Sequence, residues 1–214
     1  MYDIRGADGT GTSSNPVTSG SNAKTYTVRK LADGNCWMSE ELYLPLTVGT
    51  GVEASYNDGS TFTYTPTTTI SGTTKTAVWN NVERWYYNWY AATAEKGVGA
   101  PASSDVDGSI CPKGWKLPYN YSINQAVSWG ALTGVYAGNY LTLSALPLEI
   151  YRTGEYNPNG LYYDDGYGRY WSSTTQAADA AFFMHIDYMY IRPQNYGARD
   201  IGLNIRCVAS PLAH

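Results

Sequence analysis

The sequence predicts an α+β fold: a small, twisted antiparallel sheet with two helices and long loops. Three observations carry that expectation. Residues 25–31 alternate with the period-2 spacing of a half-buried strand, and 170–174, 181–191 and 203–208 are strand-like. Two stretches, 79–93 and 122–133, read as helices. Between these elements lie segments rich in Gly, Asn, Asp, Ser, Thr and Pro, the residues of turns and loops.

The elements follow in order. Residues 1–24 are Gly-, Ser-, Thr- and Asn-rich and are expected to form a poorly ordered lead-in. A single domain over 25–208 and a short tail over 209–214 complete the organisation. Thr25 to Leu31 alternates as a strand and ends at the turn signal Asp33-Gly34. Cys36 to Leu42 is apolar enough to be buried. Residues 47–76 form a threonine-rich insertion in which Thr61 to Thr65 alternates like a strand, so an exposed hairpin or long loop is expected, with a mobile linker as the alternative. Val82, Tyr86, Trp89/Tyr90 and Thr93 then fall at helical spacing, with Gly97 as a stop. Ser122 is the expected cap of the second helix. Residues 151–169 read as loop-rich surface.

The C-terminal third is again strand-like, at 170–174, 181–191 and 203–208. Met184 and Ile186 share one phase, and Met189 and Ile191 the other. A strand cannot change phase without a bulge or turn, which places a hairpin tip or bulge at Asp187-Tyr188. On either side of it Phe183, His185, Tyr190 and Arg192 are expected to point away from the core.

Composition narrows the function. The chain has 214 residues and a formal net charge of −4. Without a Lys/Arg cluster it lacks the basic patch that phosphate contacts need, so no nucleic-acid partner is expected. No apolar run approaches the length of a membrane span, so no direct membrane insertion is expected. The start, Met1-Tyr2-Asp3-Ile4-Arg5, does not have the pattern of a signal peptide. The aromatic residues are 21 Tyr and 7 Trp against 3 Phe. Phe packs without a hydrogen-bond partner, so a core alone does not ask for that ratio. Rigid, amphipathic Tyr is what binding surfaces use.

The three cysteines, Cys36, Cys111 and Cys207, include no Cys-x-x-Cys pair, which disfavours zinc-ribbon and thioredoxin-like sites. If the protein is exported, one bridge closing a long loop is expected. Cys111 with Cys207 is favoured, leaving Cys36 buried, although spacing alone leaves the pairing open.

Several strings go beyond composition. They are Thr25-Tyr26-Thr27-Val28, Asp33-Gly34-Asn35-Cys36-Trp37-Met38, Tyr87-Asn88-Trp89-Tyr90-Ala91-Ala92 and Ile110-Cys111-Pro112-Lys113-Gly114-Trp115-Lys116-Leu117-Pro118. Tyr170-Trp171-Ser172-Ser173-Thr174 and the ending Gly202-x-x-x-Arg206-Cys207-Val208 follow. In this order they resemble the Fibrobacter succinogenes major paralogous domain family over residues 25–208. That resemblance implies a C-type lectin-like fold of the formylglycine-generating-enzyme type, and an extracellular or cell-surface location. Trp37, Trp89, Trp115 and Trp171 lie within these strings and are expected in the core with hydrogen-bonded indoles. The insertion at 47–76 is longer than the family leads one to expect, and nothing before residue 25 carries a family motif.

The ending also resembles the variable proteins of diversity-generating retroelements, in which adenine-directed mutagenesis scatters residues over a ligand-binding face. Here His185, Asp187, Tyr188, Tyr190, Arg192, Asn195, Tyr196, Ala198, Asp200 and Asn204 are scattered over a steady apolar frame. Tyr163, Asp165, Tyr167 and Arg169 add a second loop of the same composition. These fourteen residues are the candidate ligand-binding surface, formed by 163–169 and 183–204.

Catalytic readings are weak. His214 is terminal, which leaves His185 as the candidate imidazole, and no Gly-x-Ser-x-Gly elbow accompanies it. A formylglycine-type oxidase would need paired site cysteines. For a metal, Asp164 and Asp165 with Asn157 and Asn159 offer oxygens, but without the spacing of an EF-hand loop or the Glu-Pro-Asn and Gln-Pro-Asp triplets of calcium-dependent lectins. The expectation is a non-catalytic, monomeric receptor- or adhesin-type protein, without cofactor, that binds a protein or glycan ligand on another cell surface. A carbohydrate-binding surface lectin and a structural cell-envelope or pilus-associated subunit are the alternatives.

Overall fold

Asp33 and Gly34 close the first turn of the computed structural model much as their residue types ask. Gly34 takes φ 83°, the left-handed region open to glycine. The Asp33 carboxylate accepts from the Asn35 backbone N–H at 3.1 Å and from the Trp37 indole at 2.8 Å. The residues described are 2–3, 24–43, 54–57, 61–64, 75–77, 82–94, 96–97, 99–112, 114–120, 127–135, 147, 149–157, 160–162 and 166–209.

In chain order the elements are β1 (Tyr2–Asp3), β2 (Lys24–Thr25), β3 (Val28–Lys30), β4 (Cys36–Met38), β5 (Ala54–Asn57), β6 (Thr61–Tyr64), β7 (Lys75–Ala77) and β8 (Val82–Arg84). They continue with α1 (Trp89–Ala92), α2 (Trp129–Val135), β9 (Glu155–Asn157), β10 (Gly160–Tyr162), β11 (Gly168–Thr175), β12 (Ala180–Ile186), β13 (Ile191–Ala198) and β14 (Val208–Ala209). All the strand ladders are antiparallel, and the class is α+β. Two three-stranded sheets organise it, in the orders β11-β12-β13 and β14-β4-β3. The second joins residues near both ends of the described chain.

The N-terminal strand is shorter than its alternation suggests, because 25–31 divides into β2 and β3. Tyr2 and Asp3 of the lead-in pair with Thr25 and Lys24; the rest of 1–23 lies outside the described residues. In the threonine-rich insertion β5 and β6 form a hairpin, with Ala54 opposite Tyr64.

Both helices differ from expectation. Among the described residues of 79–93, helix covers only 89–92; Val82–Arg84 is a strand paired with β7, and Tyr87 bridges Leu203. Trp85, Tyr86 and Tyr87 are all buried. An extended chain covered on both sides spaces its aromatics no differently from a helix. Asn88 caps the short turn by accepting from the Ala91 N–H at 2.8 Å. The second helix starts later than expected, at Trp129, where the Ser128 hydroxyl accepts the Ala131 N–H. Ser122 lies outside the described residues.

Strands β11 and β12 are largely buried on both faces, and two apolar clusters divide them, while the outer strand β13 is exposed at alternate residues. Trp171, Ala181 and Phe183 point into one cluster, with Met38, Tyr86, Trp89 and Leu117. Tyr170, Met184 and Ile186 point into the other, with Trp37, Trp129 and Ile150. Phe183 is therefore buried rather than outward-facing. The indoles of Trp37, Trp89 and Trp171 donate to Asp33, the Ser172 carbonyl and the Tyr87 carbonyl, at 2.8, 2.8 and 2.7 Å. Trp115 is half-buried against the first cluster.

Cys111 and Cys207 are bridged, closing a separation of 96 residues. Cys36 is free and half-buried, not buried. It opens β4, whose next two residues, Trp37 and Met38, enter the two clusters. The segment 203–208 is strand only at β14; before it, isolated bridges join Leu203 to Tyr87 and Asn204 to Tyr170. No helix among the described residues is long and apolar enough to cross a membrane.

Candidate functional site

The expected hairpin tip is there: β12 and β13 are joined through residues 187–190, and the Asp187 N–H donates to the Tyr190 carbonyl at 2.9 Å. The Asp187 carboxylate shapes the turn. Its Oδ1 accepts the N–H groups of Met189 and Tyr190 at 2.7 and 2.6 Å, an Asx-type use of an acidic side chain. Three large side chains stand out from this short turn: Tyr188 is 67% exposed, Met189 75% and Tyr190 50%. The Arg152 guanidinium lies 3.5 Å from the centre of the Tyr188 ring, and that of Arg192 5.0 Å from Tyr190. Such cation–π contacts restrain the rings without hiding them.

Behind the tip lies a row of three directly opposed residues, Arg169 on β11, His185 on β12 and Arg192 on β13. Gly168 makes the approach of β11 possible, since a Cβ there would lie 2.3 Å from the Tyr151 carbonyl oxygen. Arg169 is ion-paired with Glu155 of β9 and donates through Nε to His185 Nδ1 at 3.3 Å. On its other side His185 Nε2 meets Asp187 Oδ2 at 3.3 Å. The Tyr167 ring covers both Arg169 and His185, at 4.2 and 5.3 Å.

This arrangement sets two ionisation states. Burial, then the neighbouring Arg169, holds the His185 pKa below its ordinary 6.5, and Arg192 adds to the effect against the pull of Asp187. Burial pushes Asp187 upward, but the Met189 and Tyr190 amides and His185 outweigh it, and its pKa lies below the ordinary 3.8. The site thus favours a neutral imidazole beside an ionised carboxylate.

The fourteen sequence-selected residues do not form one face. Tyr163 and Asp165 lie outside the described residues. Tyr167, Arg169, Asp187, Tyr188, Tyr190 and Arg192 gather around the tip. His185 belongs with them but is only 7% exposed, buried in the row rather than displayed. Between His185 and Phe183 the partner residues step from Arg192 to Asn195, so β13 carries one extra residue. Pro193 falls in this bulge on an outer strand, where its missing N–H is tolerated.

The bulge keeps Asn195 on the Phe183 side and turns Tyr196 and Ala198 to the opposite face, where Tyr196 packs edge-on against Phe182. Asp200 is half-buried in the turn after β13. Asn204 is fully buried: its Nδ2 donates to the Trp85 carbonyl at 2.9 Å, and its Oδ1 accepts from Thr153. It holds the fold together and offers nothing to a ligand.

Arg152 and Glu155, both buried, are the contributors the sequence reading missed. The loop expected at 151–169 instead supplies the β9–β10 hairpin, the counter-ion of Arg169 and the platform for Tyr188. Among the described residues no three His, Cys, Asp or Glu side chains converge as metal ligands. An open concavity of about 560 Å³ is lined by Lys96, Ser104, Asp105 and Asp107, and none of the fourteen residues contributes to it. Compared with known proteins, the chain matches no family model, no curated protein and no solved structure.

Proposed function

We propose that the protein is a non-catalytic recognition protein whose β12–β13 hairpin tip, flanked by Tyr167 and Arg192, binds a macromolecular ligand. The observation that carries this reading is the tip itself: Tyr188, Met189 and Tyr190 are exposed on a turn fixed by Asp187. Large apolar side chains on a preorganised backbone lose little entropy on binding, and Tyr and Arg are the usual anchors of such contacts.

A C-type lectin-like fold and membership of the Fibrobacter succinogenes major paralogous domain family are part of the proposal. They rest on the ordered strings between residues 25 and 208. A retroelement-diversified origin rests on the scatter of Tyr, Asn, Asp and Arg over 183–204. The Cys111–Cys207 bridge supports an exported, cell-surface setting. The imidazole that would have to do acid–base chemistry is engaged at both ring nitrogens, and Cys36 is the single free thiol beside a bridged pair. Both facts favour binding over catalysis.

The test is an array of glycans and cell-surface proteins probed with the native chain and with Tyr188→Ala/Tyr190→Ala. The expected outcome is a ligand bound by the native chain and lost, by about 2 kcal/mol or more, in the double variant. Undiminished binding by the variant would move the site elsewhere. Hits confined to glycans would favour the lectin alternative, with tyrosine rings stacking on sugars.

A further inference from the structure

We propose that His185 is a proton-operated latch at the hairpin tip: neutral, its side chain ties the tip to Arg169 of strand β11, and protonated, it drops that tie and pairs with Asp187 of the tip. The consequence for a ligand rests on the proposed binding role of the tip, but the latch is a property of the chain alone.

Beside the backbone ladder that pairs Arg169 with His185 and Gly168 with Ile186, a run of side chains forms a second tie. Glu155 holds Arg169, Arg169 Nε donates to His185 Nδ1, and His185 Nε2 faces Asp187 Oδ2. The other oxygen of Asp187 holds the Met189 and Tyr190 amides. Because Nδ1 accepts from Arg169, it carries the lone pair, and the ring proton sits on Nε2 toward Asp187. The imidazole is therefore the joint between a fixed strand and the backbone of the turn.

Adding a solvent proton to Nδ1 turns this acceptor into a donor that points at another donor. The 3.3 Å contact with Arg169 then becomes a meeting of two cations in a buried place. Every neighbouring element bears on the result. Arg169 of β11 and Arg192 of β13 oppose the new charge from both sides. Glu155 of β9 is already committed to Arg169. Tyr167 contributes a ring face, and Arg152 sits beneath Tyr188. Only Asp187, on the tip, gains from an imidazolium. The imidazolium and the tip stay together, and the parting falls between His185 and Arg169. The low His185 pKa agrees with this asymmetry.

The test is a titration by NMR of the His185 imidazole and of the Met189 and Tyr190 amides, without ligand, in a chain carrying His214→Gln so that one imidazole remains. The His185 midpoint is expected below 6.5, with both amides shifting with that same midpoint as Asp187 gains its cation. Each unit separating the latched and released pKa values raises the opening constant by about tenfold. His185→Gln, which keeps a donor and an acceptor but cannot titrate, is expected to be flat with pH. If that variant does not fold, Arg169→Gln serves instead: without the opposing guanidinium the imidazole midpoint rises toward 6.5.

Amides that stay still while His185 protonates, or that move with another midpoint, overturn the latch. The two proposals also fail separately. A tip that responds to protonation while Tyr188→Ala/Tyr190→Ala binds normally leaves the latch standing without the binding role. A tip that binds ligand but ignores His185 leaves the binding role without the latch.

Discussion

Asn204 joins three segments through one side-chain amide, taking Thr153 on one side and the Trp85 carbonyl on the other. Truncating it leaves a buried carbonyl unpaired, so Asn204→Ala is expected to lower stability by about 1–3 kcal/mol in chemical denaturation. A true contact residue would instead lower binding at constant stability. His185 and Asp187 give a second residue-scale expectation. The neutral histidine, with its lowered pKa, contributes stability that is complete above 6.5 and is lost as pH falls from there through its folded value. Asp187 contributes stability that is complete above 3.8 and is lost as pH falls through its own lower value. Denaturation midpoints of the native chain are therefore expected to fall in two stages on acidification, the upper one absent in His185→Gln.

At the scale of elements, close approach decides where the site sits. Gly168 lets β11 run against Tyr151, and a methyl group there would meet backbone, which cannot rotate away. Gly168→Ala is expected to cost about 1–3 kcal/mol and to disturb Arg169 next to it, visible as a changed His185 midpoint. The elements also show how far local pattern reaches. A turn or bulge at Asp187-Tyr188 was legible because a strand cannot reverse phase between Ile186 and Met189 without one, and the structure makes it the hairpin tip at 187–190. The helix over 79–93 was not, because Trp85, Tyr86 and Tyr87 are buried on both sides and apolar spacing then carries no period. Buried Arg152, Glu155 and Asn204 were illegible for a different reason. Their partners come from other segments of the chain, and nothing in the local residues announces a distant counter-ion or carbonyl.

Across the whole molecule the C-terminal end of the domain is tied twice. β14 pairs with β4, and Cys207 is bridged to Cys111. Two buried arginines add further ties. Arg199 donates to the carbonyls of Gly97, Ala177 and Ala180, and Arg206 reaches Glu41 and the Glu149 carbonyl. A bridge over so long a loop restricts the unfolded chain strongly. Replacing both Cys111 and Cys207 with Ala is expected to remove about 2–5 kcal/mol, measured as a lower denaturation midpoint. The α+β class was readable because strands, turns and aromatic strings were each local features. The packing of one sheet between two clusters was not, since both faces of β12 carry apolar residues and no alternation marks an outside.

The extra residue in β13 has a consequence for how this strand tolerates change. It sets the parity of everything from Asn195 to Ala198, so that Tyr196 looks away from the side on which Arg192 stands. Replacing a side chain along this strand alters what is displayed while leaving the address intact. Removing or adding one residue at Pro193 or Gln194 would reverse every address beyond it, turning Tyr196 to the Phe183 side and Asn195 and Gly197 to the opposite one. Substitution along the strand and a change in its length therefore have different consequences: the first keeps the register and the second reverses it.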